Sequence, residues 1–230
     1  MRAVPDEVPP IADSPIALRS LSVAQGDAVP VGDEARDSLL YVAAGSGRLR
    51  LGSDEHELRA DHAALVLAGE DAHVDTETEL SLVVATVGGE VDLHAPMGPR
   101  ETVVVLERSD AERASGSRAF QILFGPHNGS TRATFFAGFI PPGRAPWHYH
   151  LYDEIVWVPD GPGRLHLDDE TSELGSGAAF RLRPRQVHIV ENLSPDTEMT
   201  IVGLFTPAGS PSAAYLTAEI AAEYRYVPST

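Results

Sequence analysis

The chain has no cysteine. Disulfides and thiolate metal sites are therefore excluded, and any metal must be held by His, carboxylate or water. Positive charge is scarce: 17 Lys and Arg stand against 34 Asp and Glu, a net charge of −17. Such a surface repels a phosphate backbone, so nucleic acid is not an expected partner. No apolar run reaches the roughly 20 residues of a membrane span. The opening Met1-Arg2-Ala3-Val4-Pro5-Asp6-Glu7 carries no apolar signal core. We therefore expect no membrane partner and a cytoplasmic protein. Also missing are a G-x-S-x-G nucleophile motif, a glycine-rich phosphate loop and a clear acid–base pair for metal-free chemistry.

What is present suits a globular protein. The 230 residues are 43% hydrophobic and 22% charged, enough for one large or two small domains with a sizeable core. Residues 1–15, rich in Pro and acid, read as an extended arm or a tail. From Ile16 to Val87, short apolar runs such as Leu39–Val42, Gly47–Leu51, Ala63–Leu67 and Leu80–Val84 alternate with turn residues. That pattern predicts an all-β sandwich or barrel. Residues 96–117 read as a connector, with a possible strand at Thr102–Leu106. The β pattern returns over 118–207. Beyond it, Ala213, Leu216, Ile220 and Tyr224 form a helical stripe behind Pro211, which predicts a short C-terminal α-helix within 208–230.

The two β stretches repeat each other. A shift of 116 residues lays Pro30 on Pro146, Val42 on Val158, Gly45 on Gly161 and Gly47 on Gly163. It also lays Arg48-Leu49 on Arg164-Leu165, Glu57-Leu58 on Glu173-Leu174 and Ala63 on Ala179. A duplicated β-domain is the economical explanation.

One stretch carries chemistry. His148 and His150 stand two residues apart, Glu154 follows four residues later, and His188 lies downstream. In a strand, residues i and i+2 share a face, so the first two imidazoles point the same way and Tyr149 points the other. Imidazoles and a carboxylate converging on one point suit a divalent transition metal inside a barrel. In the first copy the same positions hold Gly32, Glu34, Ser38 and Ala72; His73 alone does not make a site.

These residues resemble the cupin superfamily, specifically a two-domain bicupin with metal only in the C-terminal cupin. Its first motif, G-x5-H-x-H-x3,4-E-x6-G, is met by His148, His150, Glu154 and Gly161, with Gly143 one residue closer than the pattern asks. Its second, G-x5-P-x-G-x2-H-x3-N, is met by Gly177, His188 and Asn192. Arg183 and Arg185 replace its Pro and inner Gly. The resemblance implies two tandem jelly-roll (double-stranded β-helix) barrels: a degenerate one over 16–95 and a metal-binding one over 118–207. It implies one divalent transition metal per chain, iron or manganese favoured, with nickel, copper or zinc compatible. His148, His150, Glu154 and His188 would be its ligands. A homodimer is also expected.

Three His and one Glu leave two octahedral positions open for a substrate, or for substrate and dioxygen. The first expectation is thus a mononuclear dioxygenase of a small organic substrate. A redox-neutral isomerase, lyase or aminohydrolase is the alternative, and a non-catalytic ligand-binding cupin the third. Glu154 and Tyr152 are the catalytic candidates; Tyr152 either lines the pocket as a proton or hydrogen-bond donor, or packs. Arg183 and Arg185 either clamp a substrate carboxylate or lie in solvent on an alternating strand. Phe180 and His166 complete the candidate substrate-binding set, against a core or surface role for His166. Trp147 and Tyr149 are expected to pack outside the barrel, and Asp153 to point away from the metal.

Overall fold

The computed structural model describes residues 14–113, 118–167 and 170–216. The expected N-terminal arm lies almost wholly outside them. The first half contributes β1 (Ile16–Val23), β2 (Ala28–Pro30), β3 (Arg36–Leu51), β4 (Asp54–Arg59), β5 (His62–Val66), β6 (Ala72–Asp75) and β7 (Leu80–Gly88). The connector adds β8 (Val103–Val105), one 3-10 turn at Arg108–Asp110, and β9 (Glu112–Arg113). The second half contributes β10 (Ala119–Phe124), β11 (Thr134–Ile140), β12 (His148–Tyr149), β13 (Asp153–Trp157), β14 (Gly163–Leu167) and β15 (Glu170–Leu174). It ends with β16 (Ala179–Leu182), β17 (His188–Asn192), β18 (Met199–Thr206) and β19 (Tyr215–Leu216).

All pairings are antiparallel, and they make two jelly-roll barrels. In the first, one wall runs β1-β7-β3-β5-β8, and the far half of β3 carries β4 and β6 into the other wall. In the second, the walls are β16-β13-β18-β11-β10-β9 and β15-β14-β17-β12-β19.

The repeat seen in the sequence is a repeat of register. Ser38 faces Val66 in the first barrel and Glu154 faces Leu182 in the second. Leu49 faces Val74, and Leu165 faces Val190. Gly47 faces Leu58, and Gly163 faces Leu174. Each pair differs by the same 116 positions. The shared glycine is a close-approach residue: a Cβ on Gly47 would meet the Asp75 carbonyl oxygen at 2.5 Å, and one on Gly163 the Glu191 carbonyl oxygen at 3.1 Å. The copies differ where proline intervenes. β3 runs unbroken for 16 residues, bulging at Val42–Ala44. Its counterpart splits into β13 and β14, because Pro159 and Pro162 cannot donate to a ladder.

Alternation along these strands produces three apolar cores. Leu40, Val42, Leu49, Val74 and Leu82 are among those filling the first barrel, and Phe136, Val156, Phe180 and Phe205 among those filling the second. The third core lies between the barrels, where outward-facing Leu39, Tyr41, Leu65 and Val83 meet Phe124, Phe135, Trp157 and Leu204. Trp157 is fully buried there, with its ring 5.9 Å from that of Tyr41.

The predicted C-terminal helix needs correction. Tyr215–Leu216, at its start, is a strand paired to β12, and Tyr149 stacks on Tyr215 with centroids 5.6 Å apart. The open edge of β12 offers unpaired backbone groups, and that edge captures the chain in place of a helical turn. The rest of the stripe, from residue 217, lies outside the described residues.

Because one core serves both barrels, they should unfold together. Trp157→Ala is expected to cost about 3–5 kcal/mol. Denaturant titration of the wild type should give one transition, coincident by near- and far-ultraviolet dichroism. Two separated transitions would contradict the shared core.

Candidate metal centre

His148 and His188 are direct register partners on β12 and β17. His150, two residues on, shares the inward face of His148. Glu154 comes from β13 on the opposite wall. The three imidazoles therefore converge between the two sheets, and Glu154 approaches His150 from the other wall. All are buried, the most exposed being His150 at 9%. One ligand nitrogen from each imidazole lies within 4.8 Å of the other two. Glu154 Oε2 stands 3.9 Å from His150 Nε2.

The backbone sets each ring. Nδ1 of His148 lies 2.9 Å from the Pro146 carbonyl, Nδ1 of His188 2.9 Å from the Gln186 carbonyl, and Nδ1 of His150 3.1 Å from the Ala213 carbonyl. A carbonyl only accepts, so each Nδ1 carries the proton and each Nε2 presents a lone pair. Burial pulls the His148 pKa down to about 4 and, with the neighbouring His148, that of His188 to about 3; burial also lowers His150. Three neutral donors thus face one another. Opposite them, burial and then the adjacent Asp153 raise Glu154 to about 8. Its Oε2 is buried with no hydrogen-bond partner. Without a cation the group keeps its proton, and a cation beside it would favour the carboxylate form. The residues fit a transition metal with three nitrogen donors and one oxygen donor.

The remaining motif positions are structural. Asn192 is buried; its amide nitrogen donates to the Ile140 and Thr197 carbonyls, and its backbone pairs with Gly143 at φ +101°. Arg185 stands where the motif has glycine and has φ +66°. Its N–H donates to the His150 carbonyl at 2.6 Å, so this turn ties two ligands together. The backbone conformation expected of the missing glycine is thus retained without it.

The cavity beside the ligands has a volume of about 80 Å³. Tyr152 and Phe180 line it, as does Glu154. Tyr152 is sandwiched between His150, at 4.6 Å, and Phe205, at 3.9 Å. Burial raises its pKa, so it stays protonated.

Other expected contacts lie elsewhere. Arg183 and Arg185 are exposed and line none of this cavity; Arg183 borders an outer groove with Ser14 and Asp153. The turn at Arg185 carries them away from the barrel interior. His166 faces outward, with Nε2 2.7 Å from Glu191 and Trp147 against its ring. Asp153 accepts a 2.6 Å hydrogen bond from Ser14 and points away from the imidazoles.

Two features of the site were not read from the sequence. Arg118, just before β10, lines the cavity. Nothing in its local sequence marks it out, because only the β10 register brings it beneath β17. Pro211 and Ala214 cover the same cavity, and Ala213 orients His150. The expected helical stripe concealed that strap.

Comparison with known proteins agrees with this architecture. Residues 136–205 match the family model described as Cupin domain. No curated protein matches the chain. Among solved structures, a Cupin 2 conserved barrel domain protein from Leptotrichia buccalis superposes with a TM-score of 0.62 at 12% identity, covering 87% of each chain. Oxalate decarboxylase from Bacillus subtilis gives a TM-score of 0.66 at 10% identity, over 86% of this chain and 70% of that one. Salicylate 1,2-dioxygenase from Pseudoaminobacter salicylatoxidans gives 0.68 at 10% identity, over 83% and 68%. At such identities these likenesses speak for the fold. The family-model match covers the second barrel, where the metal-ligand candidates lie, and the structural likenesses extend the cupin-type fold to the rest of the chain.

Proposed function

We propose that the second barrel holds one divalent transition metal and acts on a small organic substrate, as a mononuclear dioxygenase. One observation carries the metal reading: the unpartnered buried oxygen of Glu154 faces three imidazoles whose Nδ1 atoms are already committed to carbonyls. His148, His150, His188 and Glu154 would hold the metal. When bound, it would supply Lewis acidity and open positions for substrate and dioxygen.

The chain's own groups do the rest. The Pro146, Gln186 and Ala213 carbonyls fix the imidazole orientations. Phe136, Phe180 and Ile201 give the cavity apolar walls. Tyr152 keeps its hydroxyl proton and can donate it as a hydrogen bond. A redox-neutral reaction is the second reading, since a neutral tyrosine beside a buried carboxyl also serves proton transfer. Oxygen uptake during turnover separates them. Consumption matched to substrate loss supports the dioxygenase, and turnover without consumption supports the alternative.

Loading with Mn(II) or Co(II) is expected to bind one ion per chain. At a hundredfold excess over Kd, binding should stabilise the fold by about 2.7 kcal/mol, an upward Tm shift on the order of 5 °C or more. His148→Ala with His150→Ala should abolish both effects. Full metal content in that variant would refute the site.

Proton release gives a further check. The imidazoles are neutral at pH 7, but Glu154, near 8, is mostly protonated. Metal must displace that proton. Calorimetry in buffers of different ionisation enthalpy should show close to one proton released per ion at pH 7, falling toward zero by pH 9. Apparent affinity should rise with pH up to about 8. Glu154→Gln should release none and bind more weakly. Release that does not change with pH, or is unaltered in Glu154→Gln, would contradict the assignment.

A further inference from the structure

Arg118 is an unneutralised cation inside the cavity that holds the imidazoles. Its Nη2 donates to the Val190 carbonyl at 2.6 Å, which fixes it to the strand that carries His188. Among the described residues it has no carboxylate within ion-pair reach, and that one carbonyl accounts for one of its five N–H donors. Burial pulls its pKa down to about 10, so it remains charged at neutral pH. It lines the same cavity as His148, His150 and His188. The rest of the wall is apolar, with Phe120, Phe136, Val190 and Ile201.

A half-buried guanidinium at an otherwise apolar wall is a ready partner for an anion, and its planar fork suits a carboxylate. We infer that the substrate is a small monocarboxylate, held by Arg118 through its carboxylate, with its apolar body against Phe120 and Phe136. This rests on the metal-centre reading only for what happens next; the anion contact is Arg118's own. Size limits the occupant. The cavity's space of about 80 Å³, open on one side, is near half the roughly 150 Å³ of an engineered cavity that takes up benzene.

The test is calorimetric titration of the Mn(II)-loaded protein with butyrate and with its neutral isostere butyramide, after elemental analysis. Wild type should prefer butyrate by at least tenfold. Arg118→Gln should erase that preference, while Arg118→Lys should keep part of it, and metal content should stay at one per chain in both. The lysine variant also provides a reading should the glutamine variant fail to fold. No preference in the wild type, or an unchanged preference in the variants, overturns the inference. The same titration without metal keeps the two readings apart. An Arg118-dependent preference in a protein that binds no metal upholds the anion site and refutes the metal centre. One metal per chain with no Arg118 dependence does the reverse.

Discussion

The second barrel turns on a buried carboxyl that the fold has left with one oxygen unpartnered. Glu154 is placed by β13 in the barrel interior, away from water, with one oxygen unbonded. Burying an uncompensated carboxylate is costly, and in the absence of metal the group answers by holding its proton. A cation at the same point would remove that cost. It would also satisfy three nitrogen lone pairs that no other group in the cavity satisfies. The local oddities of the second barrel serve this arrangement: the left-handed turn at Arg185, the Asn192–Gly143 bridge, and the strap that brings Ala213 to His150.

The first barrel shows what the same framework does without that constraint. Strand registers around Ser38, Leu49 and Gly47 reproduce those around Glu154, Leu165 and Gly163. Yet Ser38 replaces the carboxylate, Ala72 replaces His188, and the interior closes with aliphatic side chains such as Leu40, Val74 and Val84. An apolar core fills the described interior of this barrel. Its outer face, through Tyr41 and Leu39, backs the sheet that carries Trp157 and Glu154. The division of labour follows from which face of each strand is apolar.

Much of this was legible in the chain itself. Alternation and turn residues gave the barrels, and the 116-residue shift gave their common register. Side-chain parity brought His148 and His150 together, and motif spacing added Glu154 and His188. The exceptions have physical causes. Apolar spacing at Ala213–Leu216 suits a helix in isolation, but an open strand edge offered stronger backbone partners. Arg183 and Arg185 are near His188 in sequence, yet a positive φ at Arg185 turns them into solvent. Arg118 is seventy residues from His188 and reaches it only through sheet pairing, which no local pattern reveals.

The most direct test is a crystal structure of the Mn(II)-loaded protein with anomalous scattering at the metal edge. The account predicts one peak per chain, between the two walls of the second barrel. It should be ligated by Nε2 of His148, His150 and His188 and by a Glu154 oxygen, at the roughly 2.0–2.2 Å typical of such donors. The first barrel should show none. A peak elsewhere, or a metal in this cavity held without the imidazoles, would contradict the account.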